Sequence, residues 1–315
     1  MRKKFSTIEE QLALLNSRGV ETDNDTASIL LCEGYYSIVN GYKDPFLNQE
    51  ESAKAGDDRY IAGTHFSDLY SLFQFDRDLR ERAFHYLLRV EAIVRTVCVY
   101  TFVENHQGKE AYLRQDSFAS EDEYKKFGLR NYLDNLHKLH NALHDAIDKP
   151  KNEAVEHYKK NHDEVPLWVL MNTLTFGNVQ HFFNLMKPEE QAAVCERIAT
   201  LPGRINTGFL TPVKMRRAVD VLVKFRNICA HDERLYCAMV GKRNPADLMD
   251  CVRYSALFLS QNEAFEFFDG ILDMLTDYTA KSSALIHVFN KTGLSRVRKI
   301  GVAEFFSMKS DKQKK

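Results

Sequence analysis

Residues 67–105, SDLYSLFQFDRDLRERAFHYLLRVEAIVRTVCVYTFVEN, contain neither Gly nor Pro. Their apolar and small positions recur every three to four residues, at Leu72, Phe75, Leu79, Ala83, Leu87, Val90, Val94, Val97 and Thr101. This spacing places them on one face of a helix, whereas a half-buried strand would alternate. The stretch predicts one long core helix, or two in line.

The rest of the chain follows the same pattern. Only 14 Gly and 7 Pro interrupt its 315 residues, and the apolar positions between them also recur at helical spacing. We therefore expect an all-α fold, with further helices over about 121–148, 166–186, 188–199, 212–240 and 247–280. Two helix starts are marked, one by the capping-box pattern from Ser6 to Glu9 and one by Thr211 followed by Pro212.

The chain is divided by one polar stretch and by its basic end. Residues 44–64 are polar enough to predict a mobile loop, and residues 309–315 predict a disordered tail. We expect an N-terminal helical segment with this loop over 1–64, a helical core over 65–285, and a basic C-terminal segment with the tail over 286–315.

Composition limits the classes of function. Lys and Arg total 43 against 44 Asp and Glu, so the chain as a whole has no field that would attract nucleic acid or a membrane. No apolar run approaches the roughly 20 residues of a membrane span, and the N-terminus lacks the apolar core of a secretory signal. The six cysteines are scattered. We expect a cytoplasmic protein with reduced thiols, no cofactor and no bound metal.

Chemistry concentrates in residues 221–236, VLVKFRNICAHDERLY, where Arg226, Asn227 and His231 interrupt an amphipathic run. The arginine offers planar donors to a phosphate, the amide can orient a neighbour, and the imidazole exchanges protons near neutrality. These groups suit phosphodiester cleavage. Positions five apart lie about 140° apart on a straight helix, so Arg226 and His231 need side-chain reach, a bend or a second subunit to meet.

The string RNICAHDERLY resembles the R-N-x-x-x-H signature of HEPN ribonuclease domains, in the form found in the Abi family of phage-defence proteins (AbiD/AbiF-like). Three further blocks resemble that family in the same order: YYSIVNGYKDPF at 35–46, LYSLFQFDRDLRERAFHYLLRVEAIVRT at 69–96 and PLWVLMNTLTFGNVQHFF at 166–183. The resemblance covers about residues 10–240. It implies a HEPN-like helical bundle, here with additional N- and C-terminal helices, and a role as a growth-arresting ribonuclease toxin.

The resemblance also implies residue roles. Arg226 and His231 match the catalytic pair, and Asn227 matches the residue that orients them. Glu91 and Arg95 match polar supporting positions of the long helix, although their i,i+4 spacing also fits an ordinary intrahelical ion pair. Tyr236 either contacts RNA or covers the bundle.

The expected mechanism uses the RNA's own 2′-hydroxyl as nucleophile. His231 would exchange the proton, Arg226 would stabilise the phosphorane and Asn227 would hold the geometry, without a metal ion. One histidine serves poorly as both base and acid, so we expect a homodimer with a composite site. In related systems a small non-coding RNA acts as antitoxin, and such an RNA is a candidate partner beside the RNA substrate.

Other interpretations remain open. Within a toxin–antitoxin system, the protein could be a non-catalytic HEPN-type module that binds RNA or a partner protein. It could also be a substrate that a partner nucleotidyltransferase modifies. Two basic clusters could bind RNA backbone or simply be solvated: Lys214, Arg216, Arg217 and Lys224, and then Lys291, Arg296, Arg298 and Lys299. His137, His140 and His144 share a helical face compatible with a metal, but nothing nearby completes a metal signature.

Overall fold

The fold is all-α, as the sequence predicts. The computed structural model describes residues 5–204, 210–299 and 301–307; the predicted tail at 309–315 lies outside them. Over these ranges the only strands are β1 (Val20–Glu21) and β2 (Thr64–His65), which pair in parallel. The α-helices are α1 (Ile8–Ser17), α2 (Thr26–Glu33), α3 (Gln49–Ala55), α4 (Phe66–Asn105), α5 (Glu121–Lys126), α6 (Tyr132–Asp148), α7 (Glu153–Asn161), α8 (Leu167–Leu170), α9 (Phe176–Leu185), α10 (Pro188–Ala199), α11 (Pro212–Ala230), α12 (Leu248–Ser255), α13 (Gln261–Lys281), α14 (Ala284–Thr292) and α15 (Val302–Ser307).

Helix α4 is a single uninterrupted helix of 40 residues. Its predicted stripe is fully buried with one exception: Val97 is half-buried, and Cys98 is buried beside it. Only the order of one three-residue and one four-residue step differs, since Val94 before it and Thr101 after it are both fully buried as predicted. The decisive stretch thus forms the predicted core helix.

Several predicted helices are shorter than the apolar pattern indicates. The expected helix over 121–148 is two helices, because Gly128 and Asn131 adopt left-handed backbone conformations, with φ of 75° and 61°. The expected helix over 166–186 breaks where Thr175 caps α9, accepting a hydrogen bond from the Asn178 N–H at 3.3 Å. Apolar spacing alone does not reveal such breaks.

Two helix starts behave largely as their residues indicate. Thr211 caps α11 and accepts from the Lys214 N–H at 3.3 Å, with Pro212 in the first turn. At the N-terminus the capping box is formed by Thr7 with Glu10, one residue later than the predicted box. Helix α10 covers the predicted 188–199, whereas the expected helix over 247–280 is divided into α12 and α13.

The stretch 44–64, predicted as a loop, contains regular structure. A 3₁₀ turn at Asp44–Phe46 precedes α3, and Leu47 pairs with Tyr60 in an antiparallel bridge. The aromatic rings of Phe46 and Tyr60 are buried. These two rings supply apolar contacts that the high average polarity of the stretch conceals.

The chain forms two compact units. Of the described residues, one unit comprises those within 5–82, 232–238 and 268–305, and the other those within 83–231, 239–267 and 306–307. In the first unit, the Arg82 guanidinium lies where a Cβ on Gly270 would stand, which explains a glycine inside α13. In the second unit, α11 packs against α9, α10 and α12. No helix in the described ranges is long and apolar enough to cross a membrane.

Candidate active site

The signature residues lie at the C-terminal end of α11. The helix buries one face, formed by Met215, Ala218, Val219, Val221, Leu222 and Phe225. It ends at Ala230, with His231 as the C-cap, so the expected extension to residue 240 is wrong. The cause is Asp232, whose φ of 57° is left-handed and cannot continue an α-helix. The ending places His231 at an exposed helix terminus.

Arg226 points toward the long helix. Its Nε donates to Glu91 Oε2 at 3.3 Å, and Arg95 donates to the other oxygen, Oε1, of the same carboxylate. Glu91 is only 4% exposed. One buried carboxylate therefore holds two guanidinium groups, which fixes the direction of both and leaves an excess of positive charge. Glu91 and Arg95 are thus not merely an intrahelical pair.

An aromatic ring completes the surroundings of Arg226. The guanidinium carbon lies 5.8 Å from the centroid of Phe84, at the outer limit of a cation–π contact. Phe84 and Glu91 both belong to the second unit, as does Arg226. The arginine is therefore held in place while its side chain keeps partial access to solvent.

Asn227 and His231 share the exposed face of the last turn. They are four residues apart, and the His231 N–H donates to the Asn227 carbonyl at 2.9 Å. Within residues 5–204, 210–299 and 301–307, neither side chain has a hydrogen-bond or ion-pair partner. An amide and an imidazole are thus presented together to solvent.

The structure does not join Arg226 to His231 within one chain. No hydrogen bond between their side chains occurs in the described parts of the chain, as the separation of about 140° on a helix leads one to expect. Arg226 turns toward Glu91, and His231 turns outward. A phosphate contacted by both needs side-chain movement or a second copy of the chain.

A second polar network, which the sequence analysis missed, holds the turn after the signature. The Asp76 carboxylate is fully buried and accepts from the Tyr42 hydroxyl at 2.8 Å, from Arg80 Nη1 at 2.8 Å, and from the backbone N–H of Tyr236 at 2.6 Å and of Leu235 at 3.1 Å. Burial raises the pKa of Asp76 and Arg80 opposes that shift. With donors on every side, the carboxylate is the form that fits.

Arg80 extends this network to the left-handed turn. Its Nη1 donates to Asp76 and Tyr42, and its Nη2 forms an ion pair with Asp232. Tyr42 lies in the family block at 35–46, Asp76 and Arg80 in the block at 69–96, and Asp232 in the signature block. That the members of the network all lie in blocks resembling the family was the one sequence feature that could have indicated it. The i,i+4 spacing of Asp76 and Arg80 alone looks like an ordinary surface ion pair.

Tyr236 is buried. Its ring stacks on Tyr42 with a centroid distance of 6.0 Å, and burial raises the pKa of its hydroxyl. Of the two roles considered for Tyr236, covering the bundle fits this position and contacting RNA does not. The neighbouring Arg234 donates to the Gly41 carbonyl at 2.8 Å.

The first basic cluster is not a uniform patch. Arg216 donates to Gln191 Oε1 at 2.5 Å and lies over the Phe127 ring at 4.7 Å, and burial lowers the pKa of its guanidinium. Asp220 pairs with Lys224 at 2.6 Å and with Arg217 at 4.0 Å. Lys214 is the most exposed of the four. Much of the charge that could contact RNA backbone is therefore used within the fold.

The second basic cluster and the three histidines show few features of a binding site. In the second basic cluster, Arg298 Nη2 donates to Thr279 Oγ1 at 2.7 Å, and the side chain of Lys299 lies outside the described residues. Among the histidines, His140 is partly buried 5.9 Å from the Phe118 ring centroid, and burial lowers its pKa. No group of three or more metal-ligating side chains occurs in the described ranges.

The fold and site define a class of helical protein with a polar trio at the end of one helix, whose arginine is held by a carboxylate on a long neighbouring helix. The sequence model of the Abi-like protein family matches residues 28–237, and the chain belongs to that family. Family membership supports a role in abortive infection. Comparisons with curated proteins and with solved structures found no significant match.

Proposed function

We propose that the protein is a metal-independent endoribonuclease of the HEPN type that acts as a toxin in abortive infection. The observation that carries the proposal is the pairing of a fixed arginine with unpartnered polar groups: Glu91 holds Arg226, while Asn227 and His231 face solvent on the same helix end. An imidazole and a fixed guanidinium can act on a phosphodiester once both reach the same phosphate, through side-chain movement or from two copies of the chain.

Each residue has a defined role in this proposal. The 2′-hydroxyl of the RNA attacks the adjacent phosphorus, and His231 exchanges the proton. Arg226 donates to the phosphorane oxygens, and Asn227 orients the reacting groups. The bond to the 5′-oxygen breaks, leaving a 2′,3′-cyclic phosphate and a 5′-hydroxyl. Because the RNA supplies its own nucleophile, this route needs no metal ion.

The proposal includes a homodimer. Attack and departure occur on opposite sides of the phosphorus and require two proton transfers, whereas each chain has one signature histidine. The outward direction of His231 leaves it accessible to a two-fold partner. Sedimentation at micromolar concentration should show a dimer, and a fully active monomer would contradict the composite site.

The deciding experiment measures cleavage of a labelled single-stranded RNA in EDTA. We expect the wild type to cut and His231→Ala to lose at least about a hundredfold in rate, the range of general acid–base groups. The matched control is His287→Ala, an exposed histidine on α14. RNA with 2′-O-methyl at the scissile position should resist cutting. Fragments with 5′-phosphate ends would overturn the mechanism.

The same samples test the non-catalytic alternative. If the protein binds RNA or a partner but does not cut in any condition, the binding-module interpretation replaces the enzyme. In bacteria, induced expression of the wild type should arrest growth and His231→Ala should not. Rescue by a small non-coding RNA encoded nearby would identify the proposed antitoxin.

A further inference from the structure

A groove in the second unit begins at Arg95. It has a volume of about 730 Å³, and its apolar lining includes Val99, Val103 and Met171. From Arg95 to Glu104 it follows α4 for about 14 Å at 1.5 Å per residue. Arg95, at this end of the groove, shares the Glu91 carboxylate with Arg226.

Two large aromatic side chains in this groove are exposed to solvent. Trp168, the only tryptophan of the chain, is 54% exposed, and Tyr100 is 59% exposed. Arg197 lies over the Tyr100 ring at 4.8 Å and is held there by Glu104 at 2.5 Å. Trp168 lies two residues after Pro166, in the apolar run LWVLM. Its exposure leaves a wide aromatic face without a cover.

Polar groups at the edges of the groove can form hydrogen bonds. Gln107 and Asn172 line it, and each carries an amide with donors and an acceptor. At the other end, two guanidinium groups share the single Glu91 carboxylate, so positive charge is in excess there. The combination offers aromatic faces, amide groups and a cation in one groove.

We propose that this groove binds the unpaired bases of a single-stranded RNA whose scissile phosphate lies at Arg226. Unpaired bases stack on exposed aromatic rings and hydrogen-bond through their edges, while the backbone is attracted by guanidinium groups. A duplex hides its base faces, so it does not fill the groove. This inference rests on the proposed function and adds the binding site for the RNA bases, which are held by Trp168 and Tyr100.

Trp168 is a built-in reporter, because all tryptophan fluorescence comes from this one residue. The test titrates the full-length protein with a short single-stranded RNA carrying 2′-O-methyl at every position, which cannot be cut. We expect saturable quenching of the Trp168 emission, and no quenching by the same RNA annealed to its complement. Quenching that depends on protein concentration alone would assign the groove to a second copy of the chain and overturn the proposal.

Variants extend the test to affinity, measured by anisotropy of a labelled RNA. Trp168→Ala should weaken single-strand binding about five- to a hundredfold, the range of one base–aromatic stack, and Trp168→Phe should restore part of it. The control is Tyr36→Ala, an aromatic residue that is 77% exposed outside the groove. Unchanged affinity in Trp168→Ala, or no RNA binding at all, refutes the groove assignment. Binding without cleavage would refute the ribonuclease proposal alone.

Discussion

The long helix α4 carries two acid–arginine pairs at the same i,i+4 spacing, Asp76 with Arg80 and Glu91 with Arg95. Around Asp76 every donor is supplied by the fold itself, including two backbone N–H groups. Glu91 also binds Arg226, and the neighbouring side chains of Asn227 and His231 at the same end of α11 face solvent. Pairs of equal spacing thus have different surroundings: the first pair holds a turn, and the second holds Arg226 on the same helix end as two solvent-exposed side chains.

The largest effect is expected from Asp76→Asn. The substitution keeps the shape but leaves the buried Arg80 with Asp232 as its one remaining charge partner, and it turns an amide donor toward other donors. We expect the free energy of unfolding to fall by roughly 3–5 kcal/mol, the range for breaking a buried pair. Urea denaturation measures it.

The control for Asp76 is Lys125→Ala, which breaks an exposed i,i+4 pair with Glu121 on α5. Exposed pairs contribute little, so this variant should denature at the wild-type urea concentration. If both variants behave alike, burial does not distinguish the Asp76 pair from a surface pair.

Arg226→Lys tests the side chain that Glu91 of the second pair holds. Lysine keeps the positive charge but lacks the planar fork of donors, so the salt-dependent part of RNA affinity should survive within a fewfold. Single-turnover cleavage should fall roughly tenfold to a thousandfold, the scale for losing a preorganised donor to a developing charge. If affinity and rate fall in proportion, Arg226 is a binding residue only. Arg226→Ala, measured alongside, removes the charge as well.

A smaller effect is expected from Glu91→Gln, because Glu91 acts through Arg226 rather than on the RNA. The neutral amide holds both guanidinium groups less firmly, and a displaced Arg226 should slow cleavage by up to about a hundredfold. RNA affinity should not fall, since a negative charge has been removed. Loss of affinity with an unchanged rate would contradict the positioning role. Glu91→Asp should recover part of the rate.

The smallest effects separate two neighbouring basic residues. Lys214→Ala should weaken RNA binding a fewfold and reduce the salt dependence by about one unit of slope, as expected for one phosphate contact. Arg216→Ala should lower stability instead, because Arg216 is engaged with Gln191 and Phe127. Equal salt slopes for the two variants would mean that neither residue contacts the RNA backbone.

Apolar periodicity predicted which stretches of the chain are helical, but not where each helix ends. The all-α class and the helical nature of residues 67–105 follow from a repeated apolar face, which left open one helix or two in line. The family resemblance matched Glu91 to a supporting position, and its carboxylate lies 3.3 Å from Arg226 Nε. The ends of helices did not follow, because they depend on single left-handed residues such as Asn131 and Asp232. A backbone conformation of this kind leaves no trace in an apolar pattern.

Burial of charged groups was the second gap. In the string FQFDRDLRER, Asp76 and Arg80 have the spacing of a solvated pair, and only tertiary contacts reveal that both are buried. Trp168 shows the converse, since it lies in an apolar run of a predicted helix and is 54% exposed. The roles of the signature residues in catalysis stay predictions.

The left-handed turn at Asp232 restricts which amino acid can follow the signature histidine. Glycine and asparagine tolerate φ of 57° but bring no charge to Arg80, whereas glutamate brings the charge on a longer side chain and adopts that backbone conformation less readily than aspartate. Aspartate meets both demands. We therefore expect the two positions to vary together in relatives. Where an arginine occupies the position of Arg80, aspartate should follow the signature histidine, and where that arginine is replaced, glycine and asparagine become acceptable there.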